Sequence, residues 1–375
     1  MLIIPFSTAV AAQQSDDITW QRGTGEAPAA APTAQMPQAP AVQYDPSEGQ
    51  VPAALQRWRM LSASGNFSFG EYASFLMRYP DWPNSDEMRK NAEQAINPLS
   101  LSPSQVVAFF DRLPPLTNAG RARFAIALHA SGDTSRAEAQ ARAAWRGGAL
   151  NDDDEARMFR IAGNRFTSAD HDARVDRLLW SGSTRGAERW IAYTSPQRRP
   201  AFVAALATRL KAADADQKVQ DAGALANSEA TLIAARADFM RSTGNSIGAR
   251  ELLANRANLA APAPVLKDWY QLLLTHAQAA ANDGQYDVAY RIASRVDDAT
   301  PRGLIMVDQD LPTRDRYTSL TWLAGMTAME RLGRPGDAVA MFERYASAAK
   351  SAQTRSKGLH FAGKAAAKAG DQASA

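Results

Sequence analysis

The 375-residue chain contains no cysteine. That excludes disulfides, cysteine-ligated zinc and a thiol nucleophile. Aromatic residues make up only 8%, and no run of alternating β-branched residues is present, so strands are not expected. No apolar run approaches the ~18–20 residues that a membrane-crossing helix needs, so the chain is not expected to be an integral membrane protein. Charge is balanced, with 42 basic and 39 acidic residues and a net of +3. The charges are spread along the chain without the basic block that marks a nucleic-acid site, so nucleic acid is not an expected partner.

What remains is rich in alanine, the strongest helix former, within an apolar fraction of 45%. Residues 1–12 end in Ala9-Val10-Ala11 and Ala12. They read as the remnant of a secretory signal peptide, short in its apolar core and without a positive start. Export to the periplasm is the corresponding expectation. Residues 13–50 interleave Pro28, Pro32, Pro37, Pro40 and Pro46 with Ala, Gln and Gly. Such a composition buries little apolar surface and reads as a disordered linker.

Helical periodicity begins at Val51. Leu266, Trp269, Tyr270, Leu273, Leu274 and Ala277 fall at i, i+3, i+4, i+7, i+8 and i+11, one apolar stripe of a helix. Trp322, Gly325, Met326 and Met329 repeat the pattern, as do Ala338, Met341, Phe342 and Tyr345.

A second regularity is longer. Gly followed five residues later by Ala occurs at Gly132/Ala137, Gly182/Ala187, Gly244/Ala249, Gly284/Ala289, Gly333/Ala338 and Gly370/Ala375. Glycine accepts the left-handed conformation that ends a helix. The alanine marks the place where a second helix crosses the first too closely for a larger side chain. The expected architecture over 51–375 is therefore all-α, an irregular tetratricopeptide-like superhelix of helical hairpins (an α-solenoid). Successive glycines are 50, 62, 40, 49 and 37 residues apart, too irregular for a strict short repeat.

Motifs that carry chemistry are missing. His129, His171, His276 and His360 lie far apart, and none sits in a metal-binding helical frame. Each reads as a surface or half-buried helical residue. Asp152-Asp153-Asp154-Glu155 lacks the alternation of a calcium loop; with Asn151 before it, it reads as a helix cap and acidic first turn. Asp170, Asp172, Asp176, Arg174 and Arg177 form a charged group. Its Asp170–Arg174 spacing is that of a solvated helix face. Trp58, Trp82, Trp145, Trp180, Trp190, Trp269 and Trp322 read as core wedges rather than sugar platforms. No catalytic, cofactor-binding or metal-ligating residue is assigned, and no cofactor is expected.

Two stretches carry a resemblance. Phe75-Leu76-Met77-Arg78-Tyr79-Pro80-Asp81-Trp82-Pro83 with Met88-Arg89 is one; Ala169-Asp170-His171-Asp172-Ala173-Arg174-Val175-Asp176-Arg177-Leu178-Leu179-Trp180 is the other. Both resemble the N-terminal superhelical region of soluble lytic murein transglycosylases, and the similarity covers roughly residues 55–375. That family cleaves peptidoglycan glycan strands in the periplasm. Its catalytic Glu belongs to an E-S-x-F motif, followed by G-L-M-Q, in a lysozyme-like domain after the superhelix. Neither motif occurs here, so the resemblance implies a scaffold inactive alone, truncated at its C-terminus. Its partners would be glycan strands or a separate catalytic chain or domain. The alternative expectation is a tetratricopeptide-like envelope adaptor that binds a protein partner.

Overall fold

The computed structural model describes residues 51–370; the signal-like segment 1–12, the linker 13–50 and Ala375 lie outside the described residues. Within them the chain is all-α: eighteen α-helices, a few short 3-10 turns and no strand. The first four are α1 (Val51–Ala63), α2 (Phe69–Arg78), α3 (Ser85–Ala95) and α4 (Pro103–Arg112). Hairpins follow: α5 (Asn118–Ala130) with α6 (Thr134–Arg146), then α7 (Asp152–Ala162), then α8 (Ser168–Trp180) with α9 (Thr184–Ile191). Next come α10 (Arg199–Leu210), α11 (Ala215–Asp221), and α12 (Ala230–Ser242) with α13 (Ser246–Asn255). The last are α14 (Leu266–Asn282) with α15 (Tyr286–Ala293), α16 (Leu311–Glu330) with α17 (Pro335–Ser347), and α18 (Ala352–Ala369).

The Gly-x4-Ala pattern is the rule that folds these hairpins. Gly132, Gly182, Gly244 and Gly284 have φ of 83°, 77°, 87° and 74°. Each sits just past a helix end. The next residue donates its N–H back five positions: Asp133 to Leu128 O at 3.0 Å, and Ser183, Asn245 and Gln285 to Leu178, Met240 and Ala280 O at 2.8 Å. The glycine N–H bonds inside that span, as from Gly132 to His129 O at 3.1 Å. This pair of bonds satisfies carbonyls that a helix end leaves open. Gly333 closes a turn one residue longer, with Arg334 N–H on Ala328 O at 2.8 Å. Five residues after each glycine, Ala137, Ala187, Ala249, Ala289 and Ala338 are all fully buried.

The unequal glycine spacing has a structural cause. The 50-residue interval holds α7 and the 62-residue interval holds α10 and α11, helices inserted between hairpins. Five apolar clusters follow one another along the chain, each shared by neighbouring helices. Stability in such an array is built from nearest-neighbour interfaces. The Phe75/Trp82 stretch is core: Phe75 and Leu76 are buried, and Trp82 meets the Phe75 ring at 5.5 Å and the Tyr79 ring at 5.1 Å. Its Trp58 neighbour donates Nε1–H to Pro83 O at 2.6 Å. Among the described residues no helix is long and apolar enough to cross a membrane.

Candidate functional site along helix α8

Helix α8 begins with a reciprocal cap. Thr167 Oγ1 accepts from Asp170 N–H, and Asp170 accepts the Thr167 N–H at 2.9 Å. Beyond it the helix departs from the expected solvated face. Asp170, His171, Asp172, Arg174 and Asp176 are all buried, and the anticipated Asp170–Arg174 pair is replaced by longer connections. Asp170 receives Arg146 at 3.0 Å and Arg142 at 3.5 Å, both from α6. Asp172 accepts Ser195 N–H at 2.8 Å and Ser195 Oγ–H at 2.7 Å. Asp176 accepts Arg198 at 2.8 Å and Thr231 Oγ1–H at 2.7 Å, and Arg198 forks onto Glu229 at 3.0 and 2.7 Å. Burial is the cause: a carboxylate taken out of water must be paired or hydrogen-bonded, and these partners do both.

Arg174 has no exposed side-chain surface. Its guanidinium lies 4.1 Å from the centre of the Trp145 ring, donates to Gly148 O at 2.6 Å, and pairs with Glu155. Glu155 also accepts Arg189 at 3.1 Å and Trp190 Nε1–H at 3.2 Å. The acidic run thus has two jobs. Asn151 caps α7 through Asp154 N–H at 2.7 Å, as its sequence predicts, while Glu155 turns inward.

The opposite sides of α8 differ. On one, His171 stacks on Trp190 (5.7 Å) and Tyr193 (5.4 Å), with Trp145 edge-on at 5.7 Å. Burial, foremost, and the Arg174 charge hold the His171 pKa below its usual value, against the pull of Asp170 and Asp172. Phe159 and Trp190 lie 5.6 Å apart, as do Trp190 and Tyr193. Phe159 and Tyr193 are 46% and 58% exposed, so the three form an aromatic strip open to solvent. Grouped exposed rings on a folded surface mark a binding face more often than scattered ones do.

On the other side, Ala169, Asp172, Ala173, Asp176 and Arg177, at i, i+3, i+4, i+7 and i+8, line a cavity of about 620 Å³. A second, of about 820 Å³, shares Arg146, Ala173 and Arg177 with it. The carboxylates of the first are engaged: Asp172 and Asp176 as above, and Asp310 by Thr313 N–H at 2.9 Å as the cap of α16. Desolvation pushes Asp176 up. Desolvation also acts on Asp310, but its Thr313 hydrogen bonds and Lys267 outweigh that and hold it down. The arrangement suits recognition by fixed cations and aromatic rings. Among the described residues no three His, Asp or Glu converge as metal ligands.

The histidines divide. His129 and His360 are exposed, whereas His171 and His276 are buried rather than at the surface or half-buried. Trp145 and Trp269 are core wedges; Trp58, Trp82, Trp180, Trp190 and Trp322 are partly buried. The sequence did not single out Phe159, Tyr193, Arg121, Arg142 or Arg146. The one local signal among them is the like-charged i,i+4 pair Arg142/Arg146, unfavourable on an isolated helix. Comparison with protein-family models, curated proteins and solved structures finds no match for the chain.

Proposed function

We propose that the chain is the non-catalytic helical scaffold of a lytic-transglycosylase-like protein. In this reading it works in the periplasm, holds peptidoglycan glycan strands, and takes part in cell-wall turnover with a separate catalytic chain or domain. The observation that carries the reading is the open aromatic strip Phe159–Trp190–Tyr193 against α8, the helix whose sequence resembles that family. Sugar rings present apolar C–H faces that pack on aromatic faces, and a strip of rings offers several such faces to a linear glycan.

The test is co-sedimentation of the purified chain with peptidoglycan sacculi, followed by analysis of the supernatant for anhydro-muropeptides. Binding without release is the expected result. Release would overturn the non-catalytic part. Failure to sediment would move the assignment to a tetratricopeptide-like envelope adaptor, with the same strip serving a protein partner.

A further inference from the structure

The 820 Å³ cavity is bounded by three helices. Arg121 comes from α5, Arg142 and Arg146 from α6, and Arg177 from α8; among the described residues no carboxylate lines it. The four arginines are not equivalent. Arg142 and Arg146 are both held by Asp170, a single buried carboxylate. Among the described residues the guanidinium groups of Arg121 and Arg177 make neither an ion pair nor a hydrogen bond, although both residues keep their backbone bonds. Burial, and then the Arg121 charge, lower the Arg177 pKa, so the two guanidinium groups feel each other's repulsion; Asp176 acts the other way. Asp176 is committed to Arg198 and Thr231.

Packing keeps this arrangement in place. Gly148, at φ 95°, ends the turn after α6 so close to α8 that an added Cβ would lie 2.7 Å from the Arg177 Cβ. The glycine therefore sets how near α6 comes to Arg177. Like charges gathered on neighbouring helices repel one another, and an anion between them relieves that repulsion. The cavity wall also carries Asn118. Its Nδ2–H donates to Ala149 O at 2.9 Å, and its Oδ1 is buried without a hydrogen-bond partner.

We propose that this cavity is a binding site for a phosphate group, free or as a monoester, with Arg121 and Arg177 as its principal ligands and Arg142 and Arg146 at its edge. Two surplus cations call for a ligand with about two negative charges, which a phosphate monoester carries above its second pKa of about 6. Guanidinium forks match its oxygens pairwise. The site is independent of the glycan reading: it lies on the other side of α8 from the aromatic strip.

The experiment is calorimetric titration of the whole chain with glucose 6-phosphate, inorganic phosphate and glucose at matched ionic strength. Saturable binding of the phosphate compounds and none of glucose is expected. Affinity for glucose 6-phosphate should rise between pH 5 and 7.5 as its second proton leaves. Arg121→Ala and Arg177→Ala should each lower affinity by about tenfold or more, as charge-assisted bonds are lost. Arg177→Lys should retain part of it. Both positions reach solvent, so circular dichroism of each variant should match the wild type. Tighter binding of glucose 6-phosphate assigns the site to phosphorylated sugars and their like; equal affinities assign it to free phosphate. No saturable binding, or binding that survives the Arg121→Ala/Arg177→Ala double substitution, overturns the proposal.

Discussion

The guanidinium of Arg174 lies 4.1 Å from the centre of the Trp145 ring, and both side chains are fully buried. Trp145 Nε1 finds no hydrogen-bond partner there, so the ring contributes its face and its apolar area. The cation needs more than a ring, and Glu155 with the Gly148 carbonyl supplies it.

Removing that cation should be severe. Arg174→Ala leaves Glu155 half-paired in a largely apolar setting and should cost about 3 kcal/mol or more in urea unfolding. Arg174→Met with Glu155→Gln removes both charges and should recover part of the loss, which a double-mutant cycle measures directly.

The hairpin rule separates conformation from space. Gly244 has φ 87° and nothing within 4 Å of an added Cβ, so Gly244→Ala should cost only the backbone strain of about 1–2 kcal/mol. Ala249 is fully buried at the crossing of the same hairpin. Ala249→Leu has no room to grow, and a loss of about 1–3 kcal/mol from overpacking is expected. Combining the two should give a near-additive fall in thermal midpoint, since turn and crossing act on different terms.

His276 sets a pH dependence. Burial, then the Arg241 and Arg250 charges, lower its pKa from 6.5 to about 4. The folded form holds it neutral while the unfolded chain protonates it near pH 6.5. Its stabilising contribution is therefore complete above that value and is lost as pH falls toward 4. The full span corresponds to roughly 3 kcal/mol, with some reduction from residual solvent contact. Denaturant midpoints between pH 7 and 4 should fall less in His276→Gln than in the wild type.

Phe159→Ser and Tyr193→Ser test the aromatic strip. Both residues are partly exposed but each loses its ring contacts, so a cost of about 1 kcal/mol apiece is expected, too little to unfold the chain. Co-sedimentation with peptidoglycan should weaken several-fold when both are changed, while phosphate binding at the arginine cavity stays as it was.

Much of the fold was legible because its rule is local. A glycine, the helix end before it and the alanine five residues on all belong to one turn, so Gly132/Ala137 and Gly244/Ala249 announce themselves in a short window. The inserted α7, α10 and α11 break the period but not the rule. The charges of α8 escape a local reading for the opposite reason. Asp170 and Arg174 sit at a spacing that ordinarily faces water, and the groups that bury them come from elsewhere: Glu155 is 19 residues before Arg174, and Thr231 is 55 residues after Asp176. Nothing within one helical window distinguishes a solvated pair from two ends of separate buried networks. The arginine cavity is invisible for the same reason, since Arg121, Arg146 and Arg177 meet only once three helices pack.

The self-contained turns bear on how such a chain changes length. Each closes its own hydrogen bonds within six residues and leaves no demand on the segment that follows. A new helix placed after a hairpin finds the crossing before it already complete, as the intervals holding α7 and α10–α11 illustrate. The α8 network is the exception. Its bonds span five helices, so an insertion between α6 and α12 must preserve where Arg198 and Thr231 arrive. Growth at the other hairpin joints carries no such condition, whereas α7, α10 and α11 are additions that had to keep the α8 bonds to Arg198 and Thr231.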